Sequence, residues 1–110
     1  MTKYFKELDN LDKMDKTFLL KLDKARERAG IPFVINSAYR SPEHNAKIGG
    51  KPNSSHLKGL AVDISVTNSR QRFIVLNALL EVGFTRIGIA DTFIHVDLDK
   101  GKSKDVIWTY

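Results

Sequence analysis

The chain carries three histidines, His44, His56 and His95, and no cysteine. Any metal site must therefore be built from imidazole and carboxylate. Between residues 93 and 98, Ile94, Val96 and Leu98 alternate with His95 and Asp97. A strand that turns its apolar set to a core presents His95 and Asp97 together on its other face. Leu60, Val62, Ile64 and Val66 alternate in the same way with Ala61, Asp63 and Ser65. His56 stands seven residues before Asp63, at the end of a Gly- and Ser-containing loop. A loop entering a strand can fold such a side chain over the sheet face. Two imidazoles and one carboxylate suit Zn2+, with a fourth position left for water. An ion so held lowers the pKa of its water and polarises a carbonyl. Plainer roles fit the same spacing: a strand histidine is often a surface or hydrogen-bonded residue, and an alternating aspartate often just faces solvent.

The elements that position these residues are readable in outline. Leu8, Leu11, Met14, Phe18, Leu22, Ala25 and Ala29 recur at three- and four-residue steps. That period predicts an N-terminal helix over 8–29, its main part capped by Asp15 and stopped near Gly30 and Pro32. Residues 32–39 read as a strand. Ser41, Pro42 and Glu43 read as the cap, first-turn proline and first-turn acid of a short helix over 42–48. Residues 49–59 read as a loop and 60–66 as a strand. A helix over about 69–82 would turn Phe73, Leu76, Leu79 and Leu80 inward and end at Gly83. Residues 86–90 and 93–98 read as strands around a turn at Asp91 and Thr92, and 106–110 as a closing strand. The expected class is α+β: one domain over 1–110, with an antiparallel sheet and flanking helices.

Composition limits the functions. A chain of 110 residues suits one domain. No apolar run approaches the ~20 residues of a membrane span, and the N-terminal stretch lacks the apolar core of a signal peptide. The expectation is a protein made in the cytoplasm, with no membrane partner. The formal charge of +5 comes from 18 basic and 13 acidic residues. Their signs alternate through residues 3–28, the pattern of a solvated face. No basic-aromatic cluster marks a nucleic-acid surface, so no nucleic-acid partner is expected.

Several strings together resemble the M15 family of zinc peptidases, closest to its small D-alanyl-D-alanine carboxypeptidase and phage endolysin branch. These are Ser37-Ala38-Tyr39-Arg40, Asn45, Gly49-Gly50, Ser54-Ser55-His56 with Gly59, Ala61 and Asp63, and His95-Val96-Asp97. They meet S-x-x-R, then S-x-H-x-x-G-x-A-x-D, then a late His followed two residues on by Asp. The likeness spans residues 32–99. It implies the Hedgehog/DD-peptidase fold, with His56, Asp63 and His95 as zinc ligands. It makes Arg40 a catalytic and substrate-binding residue that stabilises an oxyanion or holds a carboxylate. Ser54 and Ser55 fall beside the first ligand, either to bind substrate or to brace the loop. His44 reads as a surface helix residue, and Tyr39 and Trp108 as packing.

The general base is less clear. Several M15 members carry an acid three residues before the last ligand, where this chain has Thr92. Asp97 should stand roughly 7 Å along the strand from His95, and Asp91 roughly 13 Å. Both are candidates, with Asp97 favoured as base or as brace for a ligand. The expected function is a zinc-dependent peptidase of the peptidoglycan stem peptide, of D-Ala-D-Ala carboxypeptidase or L-Ala-D-Glu endopeptidase type. It would act as a monomer on the cell wall after release, as a phage lysis enzyme does. The alternative is a non-enzymatic, metal-containing module of the same fold that binds cell wall or protein.

Overall fold

Asp15 decides how the chain enters its first long helix. The computed structural model describes residues 3–6, 8 and 10–110. In it, Asp15 has extended backbone angles and accepts a hydrogen bond from Phe18 N. The N-terminal helix expected over 8–29 is therefore broken. A 3-10 turn, Leu11–Lys13, is followed by α1, Lys16–Ala29; Asp9 lies outside the described residues. Gly30 stops α1 with φ 69°, a left-handed conformation that glycine adopts without a Cβ clash.

After α1 come β1 (Ile35–Ser37), α2 (Pro42–Lys47), a 3-10 turn (Ser55–Lys58) and β2 (Ala61–Ser65). α3 (Ser69–Glu81), β3 (Arg86–Ile89), β4 (Phe93–Asp97) and β5 (Val106–Thr109) complete the fold. Ser41 caps α2 and Asn68 caps α3, each accepting from a backbone N–H of the first turn. β1 is shorter than the expected 32–39, and the loop over 49–59 contains the 3-10 turn.

The five strands form one sheet in the order β1-β2-β4-β3-β5. It is mixed, which corrects the antiparallel expectation: β3 and β5 pair in parallel, whereas the other neighbours are antiparallel. Connectivity explains this. β4 runs back against β3, and the chain leaving β4 crosses the start of β3 to reach its far side. β5 must then run opposite to β4, and so along β3.

One sheet face is covered. Val62, Ile64, Ile87, Ile94 and Val96 are buried with Phe18, Leu22, Val75, Leu79 and Phe84, which come from α1, α3 and the segment after α3. Phe18 meets Phe84 edge-to-face at 5.8 Å. α3 does not orient as expected. Val75, Ala78 and Leu79 are buried, whereas Phe73 is 68 % and Leu80 45 % exposed. This helix is apolar on nearly every side, so periodicity could not single out the face that α1 and the sheet cover. Among the described residues, no helix is long and apolar enough to cross a membrane.

Candidate metal centre

The other sheet face is open, and alternation delivers the polar side chains to it. Register pairs Asp63 with His95, His95 with Gly88, and Gly88 with Trp108. One row therefore crosses β2, β4, β3 and β5. His56 reaches this row from the Ser55–Lys58 turn. That turn ends at Gly59, whose φ is 69°. A Cβ at Gly59 would collide with the Lys13 carbonyl and lie 3.1 Å from Met14 Cα. Asp15 N in turn donates to Gly59 O at 2.9 Å. Glycine there lets the turn pack on the start of α1 and lays His56 over the sheet.

His56, Asp63 and His95 each offer one ligand atom, and these atoms lie within 4.8 Å of one another. His56 Nδ1 is 2.7 Å from the Ala38 carbonyl. A carbonyl only accepts, so Nδ1 carries a proton, which leaves Nε2, 3.3 Å from Asp63 Oδ1, as the His56 nitrogen that can hold an ion. His95 Nδ1 faces the same oxygen at 2.9 Å, while its Nε2 lies 2.7 Å from Asp97 Oδ2. Bonds of about 2.0–2.1 Å to a tetrahedral ion put neighbouring donors about 3.4 Å apart. The donor types, spacing and tautomers thus fit a metal ion such as zinc.

Electrostatics describes the same cluster. Burial works against charge on Asp63, but hydrogen bonds from His56 and His95 hold its pKa well below the usual carboxylate range. Burial would lower the His95 pKa; bonds to Asp63 and Asp97 outweigh it and raise it. Both ring nitrogens of His95 face carboxylates, and a cation facing Nδ1 would replace the proton there.

Asp97 belongs behind His95. It is 1 % exposed. Oδ2 takes the His95 bond, and Oδ1 accepts from Arg86 Nε at 2.7 Å and Asp99 N at 3.1 Å. These bonds outweigh burial and lower its pKa. A carboxylate behind a ligating imidazole fixes its tautomer and ring direction. Asp91 does not curl in. It is exposed in the β3–β4 turn, outside the cavity lining, where its carbonyl accepts from Arg72 Nη2 at 2.8 Å. Among the described residues, Asp63 and Asp97 are the only carboxylates lining the cavity of about 560 Å³.

Arg40 stands beside the donors. Its Nη2 is 3.6 Å from Asp63 Oδ2. Nε donates to Ser37 Oγ at 3.1 Å and Nη1 to Asn45 Oδ1 at 3.0 Å. Asn45, buried on α2, is locked by its own bond to Lys51 O at 2.8 Å. Ser54 Oγ accepts from His56 N at 3.3 Å and so caps the turn. Ser55 is buried and donates to Asp99 Oδ2 at 2.8 Å. Lys58 Nζ also reaches Asp99, at 2.9 and 3.0 Å. Asp99 therefore pins the His56 turn to the loop after β4. His44, exposed on α2, does not join the cluster.

Sequence reasoning gave no role to Asp99, Asn45, Arg86 or Gly88. Asp99 continues the alternation of His95 and Asp97, which was the one available signal. Asn45 stands among the residues that carry the M15 resemblance, and its bond to Arg40 gives it a role; Arg86 and Gly88 are recognisable only once the strands pair.

A family model described as Peptidase M15 matches residues 4–97. None of the curated proteins matches the chain.

Proposed function

The chain belongs to the Peptidase M15 family, and we propose that it is a zinc-dependent peptidase of the peptidoglycan stem peptide. The observation that carries this reading is the convergence of His56, Asp63 and His95 within 4.8 Å, beside a guanidinium and in an open cavity. His56 Nε2, His95 Nδ1 and Asp63 would hold the ion. When bound, it supplies a polarised carbonyl and a water of lowered pKa. Arg40, held by Ser37 and Asn45, points its remaining donors at the cavity. There it binds the substrate carboxylate or the oxygen on which negative charge develops. Asp97 fixes the His95 ring and takes no part in proton transfer. The cut is of D-Ala-D-Ala carboxypeptidase or L-Ala-D-Glu endopeptidase type, made by a monomer on the cell wall after release, as in phage lysis.

One observation favours a second reading. Asp97 has both oxygens engaged and position 92 is threonine, so among the described residues no further carboxylate lining the cavity is free to act as base. A non-enzymatic module that binds wall peptides through the same centre is consistent with that. Digestion of purified peptidoglycan, read by mass spectrometry with and without a chelator, separates the two. Fragments that vanish on chelation and return with zinc support the peptidase. Zinc bound per chain with no fragment released supports the module.

A further inference from the structure

β5 follows the region matched to the family, yet it reaches the centre. Trp108 is the chain's single tryptophan. Its position pairs with Gly88, whose own neighbour across β4 is His95. A Cβ on Gly88 would lie 2.5 Å from Trp108 Nε1 and 2.6 Å from Cε2. The indole therefore occupies the space that any other residue at 88 would fill. Its ring centroid lies 5.4 Å from that of His95, at an interplanar angle of 49°. His56 packs on the same imidazole at 5.3 Å, edge-on. With Asp63 and Asp97 at its two nitrogens, the His95 ring is confined by two rings and two carboxylates. Arg86 joins this arrangement from two sides: its guanidinium lies 5.1 Å from the Trp108 ring centroid, and its Nε bonds Asp97.

We propose that Trp108, admitted by Gly88 and steadied by Arg86, is a positioning residue that fixes the His95 ring plane and so the direction of Nδ1. Two hydrogen bonds alone leave an imidazole free to rock about the line joining its nitrogens. Packing against the indole removes that freedom. β5 then completes the metal centre although it supplies no donor atom to it. The inference rests on the metal-centre reading above.

The test measures zinc affinity, by competition with a chromophoric chelator, for the whole chain and four variants. Loss of a partner behind a ligand typically weakens metal binding about 10- to 100-fold. Trp108→Ala should weaken it to that extent, and Trp108→Phe, which keeps a ring there, should stay within about threefold of the parent. Gly88→Ala, which displaces the indole, should reproduce the Trp108→Ala loss. Adding Gly88→Ala to Trp108→Ala should cost nothing more, because the two act through one contact. Circular dichroism of each metal-free variant identifies any that fails to fold, and Trp108→Phe keeps the test decisive in that case. Co2+ should also quench the single tryptophan of the parent at one equivalent, and not that of His95→Ala.

Parent-like zinc affinity in folded Trp108→Ala and Gly88→Ala overturns the inference and leaves the metal centre standing. Equal, large losses in Trp108→Ala and Trp108→Phe also overturn it, since ring packing would not be what matters. A parent chain that binds no zinc overturns the metal-centre reading itself.

Discussion

Replacing Asp97 by asparagine separates a base from a brace. The carboxylate is 1 % exposed and accepts three hydrogen bonds: His95 Nε2–H at 2.7 Å, Arg86 Nε–H at 2.7 Å and Asp99 N–H at 3.1 Å. Asparagine has nearly the same shape but only one accepting oxygen. If that oxygen faces Arg86 and Asp99, the amide NH2 confronts His95 Nε2–H, donor against donor. The imidazole relieves this by moving its proton to Nδ1, the nitrogen that faces Asp63 and would hold the ion. If the amide is turned the other way, the NH2 meets two donors, which is worse. Zinc must then displace a proton from Nδ1 against the preferred tautomer. The expected loss is about 10- to 100-fold in zinc affinity, or roughly 1.4–2.8 kcal/mol. The metal-free protein should also lose roughly 1–3 kcal/mol of stability, because a buried donor loses its acceptor. Chelator competition measures the first and urea unfolding the second. Unchanged zinc affinity with abolished peptide hydrolysis would instead make Asp97 the base.

Other sites give separate expectations. Asn45→Ala removes the acceptor for Arg40 Nη1 and the donor to Lys51 O; stem-peptide hydrolysis should fall about 10- to 100-fold as the guanidinium loses its orientation, with zinc affinity within about twofold. Asp91→Asn, at an exposed turn, should change neither activity nor zinc affinity by more than about twofold. Asp99 feels burial, which opposes its charge, but bonds from Lys58, Ser55 and Gly101 N bring its pKa down to about 2 from 3.8. A depressed carboxylate stabilises the fold above its unfolded pKa and loses that contribution as pH falls through the folded one. Between pH 4 and 2 the parent should therefore lose about 2 kcal/mol more stability than Asp99→Asn, as read by unfolding titrations at each pH.

How much of this could be read from the sequence depended on how local each signal was. β2 and β4 alternate cleanly, so the facing of Asp63, His95 and Asp97 followed from period two alone. The caps at Asp15 and Ser41 are local too. The direction of β5 was hidden because strand order is a long-range property that no stretch of residues encodes by itself. Phe73 and Leu80 misled because α3 carries apolar residues nearly all round, leaving its buried face to be chosen by α1 and the sheet. Trp108 read as packing, and it does pack, but against His95, because Gly88 lies between them in the register. Asp97 was left between two roles until Arg86, on another strand, took up its second oxygen.

His56, Asp63 and His95 are expected to hold one metal ion. Anomalous diffraction at the zinc absorption edge, from crystals grown with one equivalent of zinc, tests this directly. A single peak is expected within bonding distance of His56 Nε2, His95 Nδ1 and an Asp63 oxygen. No peak there, or a peak held by other side chains, contradicts it.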